Sequence, residues 1–195
     1  VIVPYPREEL KEAKSPSIGG RENWDTFLQK YSAIKVDFPA YNFNHPWYVL
    51  YSSGTTGKPK CIVHKSGGVL LKHLAEQAFQ CDIQKGDRVF YYTTTGWMMW
   101  NWLVSALGSE ATVVLFDGSP FHPQPSALFD MADELGVTLF GVSAKYIDAC
   151  AKAGLKPMET HKLSALKTIC STGSTLIPES FEYVYQNIKR DVHLQ

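Results

Sequence analysis

An α/β fold with a largely parallel sheet and helices on both faces is the architecture this sequence predicts. Three observations carry it. From Trp47 onward, short β-branched and aromatic runs alternate with longer stretches of helical periodicity. Those longer stretches keep their apolar residues on one face, as in Leu128, Met131, Ala132 and Leu135. Polar or glycine-containing turns follow several of the short runs, and in such sheets ligands gather at the carboxyl ends of strands.

The elements follow in order. Up to about His45 the chain is irregular: Pro4 and Pro6, a charged patch from Arg7 to Lys14, then Ser-Pro-Ser-Ile-Gly-Gly. One short amphipathic helix fits near Glu22 to Tyr31, with Trp24, Phe27, Leu28 and Tyr31 at helical spacing. Residues 1–46 are expected to form a connector and 47–195 an α/β subdomain. A buried strand over Trp47 to Tyr51 enters a polar loop, and a second, Cys61 to Val63, leaves it for a helix over Gly68 to Phe79. Strand Arg88 to Thr93, helix Met98 to Leu107 and the β-branched strand Thr112 to Phe116 come next. A helix begins in the proline-rich stretch 120–125. Then come strand Val137 to Phe140, helix Ala144 to Ala153, strand Lys167 to Cys170 and helix Pro178 to Lys189. In that last helix Phe181, Val184, Tyr185 and Ile188 share a face. Val192 to Gln195 reads as a further strand. The loop 52–60 and the turns Thr93 to Trp97 and Ser171 to Thr175 are expected at equivalent strand ends.

Composition narrows the function classes. A hydrophobic fraction of 45% over 195 residues supports a packed core. Nineteen basic residues balance nineteen acidic ones, so no net charge draws the chain to nucleic acid or anionic membranes. No apolar run approaches the ~20 residues of a membrane helix. With no initiator Met and an opening Val1-Ile2-Val3 that reads as a strand in progress, the chain is expected to be an internal piece of something longer. Cys61, Cys81, Cys150 and Cys170 show no CxxC and no metal-ligand spacing with histidine. Cys61 and Cys170 lie in apolar runs, so buried thiols in a reducing, cytoplasmic setting are expected. His73 and His122 are expected to face solvent, and His64 to support the neighbouring loop. None of the six histidines forms a metal pair or nucleophile triad.

The chemistry concentrates in Tyr51 to Lys60, YSSGTTGKPK. Gly54 and Gly57 let the backbone turn so that amide N–H groups converge. Ser52, Ser53, Thr55 and Thr56 add hydroxyl donors, and Lys58 and Lys60 add positive charge. Such a loop suits a polyphosphate. A Walker A loop is excluded, because only two residues separate the glycines and Pro59 follows Lys58.

This wording resembles the phosphate loop of the AMP-forming adenylating enzymes, the superfamily of acyl-CoA synthetases, luciferases and peptide-synthetase adenylation domains. It matches their pattern at each position: an aromatic residue, then Ser/Thr-Ser-Gly-Ser/Thr-Thr-Gly-x-Pro-Lys. The resemblance implies that the loop, Ser52, Ser53, Gly54, Thr55, Thr56, Gly57, Lys58 and Lys60, holds the phosphates of ATP. Lys60 is the implied catalytic lysine, and Thr56 meets Mg²⁺ through Mg-ATP. Gly96-Trp97 resembles the acyl-pocket turn of the short-chain synthetases, implying that Trp97, Met98 and Met99 border the carboxylate substrate. The segment GWMMWNW is more similar to the acetoacetate-activating branch than to the acetate-activating one. Asn101 there either satisfies local backbone or meets a keto oxygen. Ser171 to Glu179 resembles the adenine-side turn, implying that Gly173, Ser174 and Thr175 lie along AMP and Thr172 near the acyl group. Gly-Ser-Thr stands here where the acetate enzymes have Gly-Glu-Pro, which leaves backbone contacts but alters side-chain ones.

The implied substrates are acetoacetate, ATP and coenzyme A, with Mg²⁺, and no nucleic-acid or membrane partner. The implied fold is part of the large N-terminal domain of that superfamily. Later Mg²⁺ and ribose motifs and a C-terminal domain with another lysine are missing, so residues 1–195 alone are expected to be inactive. The rivals are an acetyl- or propionyl-CoA synthetase and a non-catalytic nucleotide-binding module.

Overall fold

The computed structural model describes residues 24–32, 35–52 and 57–195. Contacts divide the chain after Tyr41. In the first unit the described residues form one short helix, α1 (Trp24–Leu28), whose Trp24 and Phe27 rings stack with centroids 6.2 Å apart. Glu22, the proline pair and the charged patch lie outside the described residues.

The second unit runs from Asn42 to Gln195. It opens with an antiparallel hairpin of β1 (Pro46–Tyr51) and β2 (Cys61–Lys65), which leads into α2 (Ser66–Phe79). The remainder alternates: β3 (Arg88–Tyr91), α3 (Met98–Ser105) with a 3₁₀ turn over Ala106–Ser109, β4 (Thr112–Val114), α4 (Ala127–Leu135), β5 (Leu139–Ser143) and α5 (Ala144–Lys152). A short α6 (Pro157–Thr160), β6 (Thr168–Thr172), α7 (Pro178–Tyr183) with a π turn over Val184–Ile188, and β7 (His193–Leu194) complete it. Strands β3 to β7 form a parallel sheet in the order β4-β3-β5-β6-β7. The expected α/β class and parallel sheet are thus observed.

Handedness places the helices. The path steps from β3 outward to β4, then back across β3 to β5 and onward to β6. A right-handed crossover must put helices on opposite faces when the direction reverses. Accordingly α3 packs on one face, where Met99, Trp102 and Leu103 meet Val89, Tyr91, Leu139 and Cys170. Helices α4 and α5 pack on the other, where Leu128, Phe129, Tyr146 and Ile147 meet Phe90, Phe140, Val142 and Ile169. Phe140 lies between Phe90 at 5.3 Å and Phe129 at 5.5 Å between ring centroids. Each fully buried ring of this kind contributes about 1.5–3 kcal/mol.

Several expectations change. The hairpin lies outside the parallel sheet, so the loop 52–60 does not share the edge of the other two turns. Its strands are largely exposed, not buried, and Cys61 is an exposed thiol. A two-stranded ribbon offers little cover to either face, and an apolar run alone cannot tell it from a core strand. Strand β5 starts and ends later than the apolar run Val137 to Phe140. The Val137 N–H is bonded to Ala132 O at 2.9 Å, behind Gly136 in the left-handed region at φ 60°. Likewise β6 continues through Ser171 and Thr172, paired with Val142 and Ser143, instead of turning at Ser171. In the last helix the π turn adds a residue to the register. Val184 and Ile188 are buried, while Phe181 and Tyr185 are exposed. No helix among the described residues is long and apolar enough to cross a membrane.

One carboxylate holds two successive N–H groups of the loop after α6. Asp133 on α4 accepts the backbone N–H groups of Lys162 at 3.1 Å and Leu163 at 2.7 Å, and Leu163 is buried at φ 45°. Asp133→Ala is expected to lower stability by about 1–3 kcal/mol, seen as a fall in the urea midpoint of the complete protein. An unchanged midpoint would mean that solvent replaces the carboxylate there.

Candidate functional site

Strand order reverses at β3, so the carboxyl ends of β3 and β5 border the crevice that open α/β sheets use for ligands. A cavity of about 730 Å³ lies there, lined by Tyr91 to Thr95, Trp97 and Trp100, by Val114 to Gly118 after β4, and by Ser143 at the end of β5. A second cavity, about 630 Å³, lies on the α3 face. Its walls come from Tyr48 and His64 of the hairpin, Val69, Lys72, His73 and Glu76 of α2, Met98, Met99 and Trp102 of α3, and Cys170 to Thr172 of β6. Tyr91 lines both.

These positions follow from local structure. The turn after β3 is closed by Trp97 N donating to Thr94 O at 3.1 Å, which starts α3 with Met98 and Met99 in its first turn. Met99 is buried and Met98 exposed. Thr172 ends β6 with its side chain on the same face as Cys170, because alternate strand residues share a face. Gly173 follows at φ 88°, a left-handed conformation that turns the chain without the strain a Cβ would bring. A Cβ at Gly173 would lie 3.8 Å from the Trp97 ring, so the two turns meet at that point.

The residues expected from sequence are therefore distributed as follows. Met98, Met99 and Thr172 come together in the 630 Å³ cavity, while Trp97 lines the 730 Å³ one. Gly173, Ser174 and Thr175 are exposed in the turn after β6. Ser52 and Lys60 close the neck of the hairpin loop: Ser52 N donates to Lys60 O at 2.9 Å, and Lys60 N donates to Ser52 Oγ at 3.3 Å. Gly57, Lys58 and Lys60 are exposed. Ser53, Gly54, Thr55 and Thr56 lie outside the described residues. Asn101 is half-buried and lines neither cavity, so a keto-oxygen contact from it is not supported.

His73, expected to face solvent, is buried. It belongs to a polar cluster between α2 and α3. His73 Nδ1 lies 3.1 Å from Ser105 Oγ, and Gln77 Nε2 donates to Ser105 Oγ and to Trp102 O. Burial holds the imidazole below its ordinary value; Lys72 and His64 push the same way, and Glu76 opposes them. The sequence carried a signal for this: Val69, His73 and Gln77 lie four apart and so share one helix face, which sets two polar groups in an apolar stripe. Cys81 and Cys170 line the same cavity as neighbouring thiols. Their contact holds the Cys81 thiol low and, together with burial, pushes Cys170 up. Among the described residues no group of three His, Cys, Asp or Glu side chains could hold a metal ion.

Comparison with known proteins identifies the family and the fold. The family described as AMP-binding enzyme matches residues 4–193. The chain is 50% identical, over its full length, to an acetoacetyl-coenzyme A synthetase of Rhizobium meliloti (strain 1021), of which it covers 30%. It is 44% identical over 89% of its length to a malonamoyl-CoA synthetase of Penicillium aethiopicum, covering 26% of that protein. Among solved structures, acetoacetyl-CoA synthetase from Streptomyces lividans superposes with a TM-score of 0.79 at 44% identity, over 90% of this chain and 28% of the other. The chain thus spans less than a third of the length of these relatives.

Proposed function

Because the chain belongs to the AMP-binding enzyme family, we propose that the protein carrying it is an AMP-forming acid–thiol ligase acting on acetoacetate. The observation that carries the reading is the common cavity of Met98, Met99 and Thr172, in a chain whose relatives include an acetoacetyl-CoA synthetase and a malonamoyl-CoA synthetase. Acetoacetate and malonamate are short acids with a second carbonyl at the β-carbon, one methylene from the carboxylate. A predominantly apolar pocket of limited size suits that class.

In this reading ATP and acetoacetate give acetoacetyl-adenylate and pyrophosphate, and the thiol of coenzyme A then displaces AMP. The loop from Ser52 through Ser53, Gly54, Thr55, Thr56, Gly57 and Lys58 to Lys60 holds the phosphates that leave. Lys60 stabilises negative charge as the carboxylate attacks the α-phosphorus. Gly173, Ser174 and Thr175 run along the nucleotide, Met98, Met99 and Thr172 border the acyl group, and Trp97 stands where its turn meets Gly173 rather than in that pocket. Positioning and preorganised charge supply most of such a rate. Mg²⁺ is proposed only as the companion of the clustered phosphate charge, with Thr56 beside it. The described residues offer it no carboxylate cage. The balance of nineteen basic and nineteen acidic residues supports small-molecule substrates over nucleic acid or membrane, and three buried thiols support a reducing cytoplasm.

The test is carboxylate-dependent ATP–pyrophosphate exchange on the complete protein with acetoacetate, malonamate, acetate, propionate and butyrate. Exchange is expected to be fastest with acetoacetate and next with malonamate. A different preferred acid would keep the ligase and replace the substrate; no exchange with any acid would end the reading.

A further inference from the structure

The cluster behind the 630 Å³ cavity fixes where the hydrogen sits on His73. Ser105 Oγ has one hydrogen, and that hydrogen is directed to Trp102 O, 2.6 Å away. Gln77 Nε2 spends its two hydrogens on Trp102 O at 2.9 Å and Ser105 Oγ at 3.0 Å. Ser105 can therefore only accept from His73 Nδ1 at 3.1 Å, so Nδ1 carries the ring hydrogen. His73 Nε2 is left as a lone-pair acceptor with no bond to any described residue. The sealed polar atoms without partners are Gln77 Oε1, Tyr146 OH and Ser171 Oγ. Nε2 is not among them, so part of the 7% exposure that His73 retains belongs to it. His73 lines the same cavity as Met98, Met99 and Thr172.

We propose that His73 Nε2 takes the proton from the thiol of coenzyme A as its sulfur attacks the acyl-adenylate. The proposal rests on the function proposed above and adds to it the base for its second half-reaction. The thiol proton passes to Nε2 while an S–C bond forms at the acyl carbon. The bond from that carbon to the phosphate oxygen breaks, and AMP leaves with the electron pair. Ser105 Oγ, accepting from Nδ1–H, steadies the imidazolium, which afterwards returns its proton to solvent. No oxidant or reductant is needed. The groups that bear on the ring are Lys72 and Glu76 from α2 and His64 from β2; Gln77 and Ser105 are uncharged. Burial keeps the ring neutral, hence competent to accept a proton, at neutral pH.

The experiment compares three activities of the complete protein in wild type, His73→Gln and Ser105→Ala. They are ATP–pyrophosphate exchange, thioester formation, and acyl hydroxamate formation with hydroxylamine, a nucleophile that is already unprotonated. In His73→Gln the ratio of thioester formation to exchange is expected to fall by about 10²-fold, as loss of a general base does. The ratio of hydroxamate formation to exchange should stay within about threefold of wild type, since no thiol proton is moved in that reaction. Ser105→Ala should give the same pattern more weakly. Wild-type thioester formation should rise with pH through an inflection below 6.5, and His73→Gln should lack that inflection. Equal thioester-to-exchange ratios in wild type and variant would overturn the proposal. So would a parallel fall of all three activities, which marks a purely structural role. Absent exchange in the wild type would instead overturn the ligase reading, and this role with it.

Discussion

Replacing Gly141 by valine is expected to destabilise the parallel sheet severely. Gly141 is in the middle of β5, and a Cβ there would stand 2.1 Å from Tyr91 Cδ2 and 2.4 Å from Cε2. The Tyr91 ring lies over the glycine, with Cγ, Cδ2 and Cε2 all within 2.5 Å of that Cβ, so the whole ring would have to move. It is 4% exposed and packs edge-on against Trp102, centroid to centroid 6.0 Å. Overpacking a core usually costs about 1–3 kcal/mol, and here a whole ring must leave while β5 stays bonded to β3 and β6, so about 3 kcal/mol or more is expected. The measurement is the urea midpoint of the complete protein, with Tyr91→Ala introduced alone and together with Gly141→Val. If the clash is the cause, the double variant should be more stable than the sum of the two single losses predicts. Strict additivity would place the damage elsewhere, in the backbone of β5 itself. Because Tyr91 borders both cavities, any Gly141 variant that folds should also lose exchange activity.

Lys60→Ala should lower acetoacetate-dependent pyrophosphate exchange by about 10²-fold, the usual loss when one preorganised donor to developing charge is removed. The hairpin should survive the change. Lys60 holds the loop neck through its backbone carbonyl and N–H, which meet Ser52, and its side chain is exposed. Loss of activity with an unchanged melting curve is therefore the expected pair of results. Lys60→Arg should recover part of the rate, since it restores charge without the compact ammonium. Exchange in Lys60→Ala equal to wild type would remove Lys60 from the chemistry and leave the loop with a backbone role only. A comparable fall in Lys58→Ala would assign the charge to the loop as a whole.

Much of this molecule is legible in its residues. The alternation of strand and helix from Trp47 onward predicts the α/β class because side-chain periodicity is a local property. The polyphosphate character of YSSGTTGKPK is likewise local, since it depends on donors, glycines and charge within ten consecutive residues. Boundaries were less accessible. The strand reads as ending at Phe140, yet β5 runs on through Gly141, where the missing side chain makes room for Tyr91 from the neighbouring strand. Phe181 and Tyr185 fit a buried stripe by spacing, yet both are exposed, and Tyr185 lies in the π turn that shifts the register.

What tertiary structure alone decided is which residues share a wall. The segment Trp97-Met98-Met99 reads as a single stretch of apolar contact, but the start of α3 sends Trp97 to one cavity and the methionines to another. Cys81 and Cys170, remote in sequence, face each other because α2 delivers one beside β6. By sequence alone His73 was a surface histidine; packing of α2 on α3 brought Ser105 to its Nδ1 and made His73 part of the cavity lining. The physical reason is range. Periodicity, turn chemistry and loop charge act over a few residues, so the sequence expresses them directly. Burial, tautomer and the walls of a cavity come from surfaces brought together by the crossovers of the sheet, and only the folded chain contains them.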